Sequence, residues 1–210
     1  MSLVLFLVSV IFISLSGVLM PGPITAVTIA KGSKTPIAGA MVSLGHGIVE
    51  FPLIVLIYLG LGVVFQIFWV KFGIGILGGG VLVWMALDML KRYKTVEIEV
   101  KEKEMGSILA GILLSAGNPY FLIWWATVGA RLVLSAMKWG LLGLVLFALV
   151  HWFCDLFWYQ FLSWLSFQGG RFFGRKLQMA VFIICGLAMF YFGLWFITDA
   201  GVSLFWRFKA

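Results

Sequence analysis

The sequence predicts an all-α polytopic membrane protein: six transmembrane helices arranged as two inverted-topology repeats of three, each repeat with a broken first helix. Three observations predict it: an apolar composition, six stretches long enough to cross a bilayer, and matched punctuation in the two halves of the chain. Of the 210 residues, 63% are hydrophobic and 11% charged, with a mean hydropathy of +1.12. A soluble domain carries about 25% charged residues. A hydrocarbon core of ~30 Å takes about 20 helical residues to cross. Apolar stretches of that order cover residues 3–30, 37–68, 72–90, 108–130, 139–167 and 177–197. Several exceed one straight crossing, which predicts tilts, kinks or breaks. The polar alternation of an outer-membrane barrel is absent.

The first stretch has no basic residue before Lys31 and no short apolar core followed by a small-residue cleavage site. It is therefore expected to stay in the mature chain rather than act as a signal peptide. Cys154 and Cys185 both fall inside apolar stretches and read as small buried hydrophobes rather than a disulfide. No CxxC or HExxH spacing marks a metal site, and no P-loop spacing marks ATP use, so no resident metal or cofactor is expected.

The formal charge of +7 does not point to nucleic acid, because the basic residues are spread over connecting segments instead of one soluble face. Their distribution reports orientation. Lys31 and Lys34 follow the first helix; Lys91, Arg92, Lys94, Lys101 and Lys103 follow the third; Arg171, Arg175 and Lys176 follow the fifth. The opposite side carries Lys71, Arg131, Lys138, Arg207 and Lys209. Positive-inside reasoning puts the loops after helices one, three and five in the cytoplasm, with both termini outside.

Residues 91–105 mix both signs and read as a solvated cytoplasmic linker within one transmembrane domain spanning 1–210. The linker joins halves at about 1–94 and 106–203. With three helices per half, the second half enters the membrane from the opposite side, which is the geometry of an inverted repeat. The punctuation agrees. Pro21-Gly22-Pro23 interrupts the first helix of one half, and Gly117-Asn118-Pro119 interrupts the first helix of the other.

Each proline lacks an amide hydrogen and crowds the carbonyl four residues back, so Pro21, Pro23 and Pro119 are expected to release the carbonyls of Gly17, Leu19 and Ser115. Broken helices at membrane depth offer amides to anions and carbonyls to cations, so a zwitterion could use both. The plainer alternative is that these prolines only kink two packed helices.

In the second helix of each half a histidine precedes an acid by four residues: His46 and Glu50, then His151 and Asp155. That spacing puts both partners on one helix face, where they can exchange a proton. An ionisable group at bilayer depth costs on the order of 2.5–3.5 kcal/mol by insertion scales, so it seldom persists there without a role. The pairs are candidates for proton coupling or substrate binding; the alternative is that they only glue helices together. Asp88 and Asp199 lie near helix ends and reach the interface. Gly75 and Gly79 form a GxxxG that permits close approach within the bundle or by a second protomer, as in a homo-oligomer. Trp69, Trp124, Trp125, Trp139 and Trp206 suit interfacial belts, while Trp152 and Trp158 flank Asp155 and either line a cavity or face lipid.

Met20-Pro21-Gly22-Pro23, the glycine-spaced run through Gly39, Gly45-His46-Gly47 and Glu50, and Asn118-Pro119 together resemble the LysE/RhtB family of amino-acid exporters over roughly residues 3–200. The resemblance implies a small inner-membrane secondary transporter driven by the proton motive force, with an amino acid or related metabolite and protons as its partners. Two positions depart from the family pattern: Glu50 stands where Asp is common, and Tyr120 follows Asn118-Pro119 where Lys is common. On this reading Pro21, Gly22, Pro23, Asn118 and Pro119 shape the substrate site. Glu50 and Asp155 carry a substrate ammonium or the proton, tuned by His46 and His151. An exporter of metal cations or other small solutes is the nearest alternative. An intramembrane enzyme lacks a nucleophile motif such as GxSxG, and a thiol-redox conduit would place its cysteines in other helices.

Overall fold

The computed structural model describes residues 2–64, 67–92, 105–170 and 174–209, and all regular structure among them is helical. Most of the charged linker, with Lys94, Lys101 and Lys103, and also Arg171, lies outside the described residues.

In chain order the helices are α1 (Leu3–Val18), α2 (Pro23–Gly32), α3 (Ala38–Leu56), a π-turn Ile57–Leu61 with the short α4 (Gly62–Val64), α5 (Phe68–Gly73), a π-turn Ile74–Gly78 and α6 (Gly79–Arg92). After the linker come α7 (Ser107–Ala116), α8 (Pro119–Trp124), a π-turn Trp125–Gly129, α9 (Ala130–Ala136), α10 (Gly140–Gly170) and α11 (Gly174–Lys209). Four runs are long and apolar enough to cross a bilayer, 38–60, 68–88, 119–169 and 183–207, and α1 with α2 makes a fifth as a pair bent by 85°. The third of these runs is not straight. Gly140 sits at φ +63°, a conformation that favours glycine, and α9 and α10 pack against each other on either side of it.

Both breaks fall where the prolines predict. Pro23 and Pro119 each occupy a first helical turn, where a missing N–H removes no helical bond. Two of the three carbonyls expected to be released, those of Gly17 and Ser115, are bonded instead. Gly17 O accepts from Met20 N at 3.2 Å, and Ser115 O accepts from Asn118 N at 3.1 Å. A tightened last turn therefore satisfies both carbonyls within the chain.

Helix α3 is the hub, packing on α7 and α10. Its contact with α7 is backbone to backbone: a Cβ on Gly45 would overlap the Ile108 carbonyl, and one on Gly111 the Val42 carbonyl. The GxxxG glycines act within the chain in the same way. A Cβ on Gly79 would come 2.7 Å from the Gly193 carbonyl of α11, and Gly75 meets Ala200 of the same helix. Cys154 and Cys185 are free thiols. The outer faces are apolar, with Phe12, Leu77 and Phe157 all more than two-thirds exposed, as suits side chains solvated by lipid.

Candidate functional site

Helices α3 and α10 pack together and turn their polar residues toward each other. His46, Glu50, His151 and Asp155 are all buried, and they meet. Each acid faces both imidazoles. His46 Nε2 lies 3.4 Å from Glu50 Oε1, the expected pairing within one helix, and His151 Nε2 lies 3.8 Å from Asp155 Oδ2. The contacts across the halves are as short or shorter: His151 Nε2 to Glu50 Oε1 is 3.0 Å and His46 Nε2 to Asp155 Oδ1 is 3.7 Å. Two pairs inferred separately from the sequence are one ring of alternating base and acid. Among the described residues, Glu50 Oε2 has no hydrogen-bond partner, and it is buried.

The far side of each imidazole is held by a buried serine from the opposite half of the chain. His46 Nδ1 is 2.7 Å from Ser115 Oγ on α7, and His151 Nδ1 is 2.6 Å from Ser14 Oγ on α1. Ser115 donates its hydroxyl proton to the Gly111 carbonyl at 2.5 Å, which leaves its oxygen to accept from His46 Nδ1–H. With Nδ1–H committed to the serine, Nε2 is the atom of His46 that takes or gives up a proton, and when protonated it donates to the acids. The serine hydrogen bond thereby selects the tautomer of the neutral imidazole.

Both helix breaks reach the ring. Pro21, Gly22, Pro23 and Asn118 line the same cavity as His46, Glu50, His151 and Asp155. About 60 Å³ of it is open to the centres of water molecules, room for a few waters. Pro119 does not line it: this proline packs where a Cβ on Gly78 would stand, against the third apolar stretch. The N-terminus of α2 at Gly22 has no side-chain cap, whereas Asn118 Oδ1 accepts from Tyr120 N at 3.0 Å and caps α8.

Sequence reasoning missed Ser14 and Ser115, and it misplaced two tryptophans. Trp124 and Trp125, expected in an interfacial belt, are buried beside the ring. Trp124 stacks on His151 at 5.1 Å between centroids, and Trp125 meets it edge-on at 5.2 Å. Trp69 and Trp206 are exposed, in keeping with a belt. Trp152 donates to the Ser43 carbonyl at 3.1 Å and is outside the cavity wall. Among the described residues, His46, Glu50 and Asp155 offer ligand atoms within 4.8 Å of one another, so the ring could also receive a cation.

A helical membrane protein with an ionisable ring buried where two broken helices meet has the build of a solute translocator. The family comparison gives the class its particular form. The chain belongs to the LysE type translocator family, whose model matches residues 15–200. It is thus an integral membrane protein and a membrane exporter of small solutes. No curated protein and no solved structure matches it.

Proposed function

We propose that this chain is a secondary transporter that exports an amino acid or related small metabolite across the cytoplasmic membrane in exchange for protons. The observation that carries the reading is the four-membered ring of Glu50, Asp155, His46 and His151 inside a cavity lined by both helix breaks. With both imidazoles protonated and both acids ionised the ring is neutral. Each proton that leaves adds one uncompensated negative charge in a medium that solvates charge poorly. A substrate ammonium entering the ring replaces that proton charge for charge, so proton and substrate exclude each other. Mutual exclusion at one site is the minimum requirement for exchange. The uncapped first turn of α2 at Gly22 offers backbone amides to a substrate carboxylate on the same cavity wall.

The same reading takes residues 1–210 as one transport domain of six spans, with α1–α2 and α7 to α9 as the broken first spans of inverted halves. The reciprocal serine contacts support that pairing, since each half supplies the serine for the other's histidine. Orientation follows from the basic residues. Lys31 Nζ donates to the Met105 carbonyl at 2.8 Å, joining the last turn of α2 to the residues just before α7 on the side richer in basic residues, which is taken as cytoplasmic. Arg207 lies 4.4 Å over the Phe68 ring at the other end. Export of a divalent cation is the second reading, favoured by the convergence of His46, Glu50 and Asp155.

The test is solute efflux from loaded proteoliposomes under an imposed pH gradient, comparing several amino acids with divalent cations. Gradient-dependent efflux of amino acids but not cations is expected. Gradient-dependent efflux of the cations alone would replace this reading with the second, and amino-acid efflux indifferent to the gradient would remove the proton.

A further inference from the structure

A second, larger cavity adjoins the ring cavity. It lies between α5 with its π-turn, α8 with its π-turn, and α11, with about 570 Å³ open to water centres against about 60 Å³ around the ring. Pockets for small molecules run roughly 300–1,000 Å³. Of these two cavities, the second is the one with room for a solute much larger than water.

Its wall is chemically specific. Phe68, Phe72, Tyr120, Trp124, Phe192 and Phe196 supply aromatic surface, and Lys71 on α5 and Asp199 on α11 supply charges of opposite sign. An acyl chain would use the rings and ignore the charges. A zwitterion carrying an apolar side chain uses both.

The two cavities share a partition, because Tyr120, Trp124 and Phe192 line both. The partition is pinned beside the first helix break: the Tyr120 hydroxyl donates to the Ser16 carbonyl at 3.2 Å, and Trp124 Nε1 donates to Ser16 Oγ at 3.4 Å. Trp124 also stacks on His151, so its ring touches the proton site on one side and the aromatic cavity on the other.

We propose that the aromatic cavity is a substrate vestibule selecting neutral amino acids with a large apolar or aromatic side chain. The side chain lies on the rings, the carboxylate faces Lys71 and the ammonium faces Asp199. Tyr120, Trp124 and Phe192 are the gate between this vestibule and the ring. The inference rests on the exporter reading and adds the substrate class and the route to it.

The experiment is exchange in proteoliposomes at equal pH on both sides, with L-phenylalanine inside and labelled L-phenylalanine outside. L-Leucine and L-methionine are expected to compete at concentrations at least tenfold below those needed for glycine, L-glutamate or L-lysine. Ala126→Phe, which fills the vestibule from the α8 side, is expected to weaken L-phenylalanine exchange at least tenfold. Ser203→Trp on α11 makes the same test if the first variant fails to fold.

Equal competition by glycine, glutamate and lysine would overturn the vestibule while leaving an amino-acid exporter standing. Unchanged phenylalanine exchange in the folded variants would also overturn it, marking the cavity as a lipid-filled gap. Absence of exchange for every amino acid would overturn the exporter reading, and the vestibule with it.

Discussion

At the first break the chain leaves α1 after Val18 and re-enters helix at Pro23 after a turn of 85°, with Gly22 extended at φ −159° and no side chain capping α2. At the second, Gly117 and Asn118 carry α7 into α8, Asn118 caps the new helix with its own side chain, and Pro119 is buried against Gly78. The two breaks hold matching places in their halves but differ in what they leave available. The first presents to the cavity a helix start with no side-chain cap; the second bonds Tyr120 N to the Asn118 side chain and supplies Tyr120 to the wall. On the proposed reading the first break would supply backbone groups to a ligand, and the second would supply a capped helix whose side chains form the wall.

Substitutions at the two breaks should separate those roles. The largest effect is expected from Gly22→Leu. No atom lies within 4 Å of a Cβ at Gly22, and its extended backbone accepts any residue, so folding should be unchanged. The added side chain would occupy the cavity, and transport in proteoliposomes should fall at least tenfold at an unaltered melting temperature. Loss of stability with intact specific activity would reverse the assignment.

Ser115→Ala and Ser14→Ala come next. Each strips a buried imidazole Nδ1 of its partner, at a cost of about 1–3 kcal/mol. The measurement is the stability of the detergent-purified protein. Because the two serines serve the ring from opposite halves, both variants should also depress gradient-driven transport by similar factors. A defect confined to one would break the equivalence of the halves. The smallest effect is expected from Asn118→Ala, which removes a helix cap worth about 1 kcal/mol. Transport should change less than threefold.

Much of this architecture was legible in the chain, for a physical reason. The helical class, the bend at Pro21-Gly22-Pro23 and the interruption at Asn118-Pro119 follow from local rules about apolar length and missing amides. The burial of both histidine–acid pairs follows from their place in apolar stretches. Which helices would meet was not legible. The i, i+4 spacing reveals partners one turn apart but is blind to His151 approaching Glu50 more closely than His46 does. The serines that hold the histidines lie 69 and 137 residues away, and a hydroxyl in an apolar span has many uses.

Trp124 and Trp125 were expected at an interface from the usual preference of tryptophan, yet Trp124 ends α8, Trp125 starts the π-turn after it, and both turn inward onto His151. Pro119 was expected to help shape the substrate site as the counterpart of Pro21 and Pro23, which line the ring cavity, but the small residue at Gly78 gives it a packing site instead.

The central claim, that the ring exchanges a proton for substrate, is tested most directly by Glu50→Gln and Asp155→Asn in two modes of one assay. Each substitution keeps approximate shape and removes a titratable oxygen. With a pH gradient imposed, at least one variant should lose accumulation of amino acid by tenfold or more. With equal pH on both sides, that variant should still exchange internal for external amino acid, because translocation of the loaded carrier needs no proton. Normal gradient-driven transport in both variants would contradict the account, and so would parallel loss of both modes together with thermal stability, which would mark the ring as structural glue.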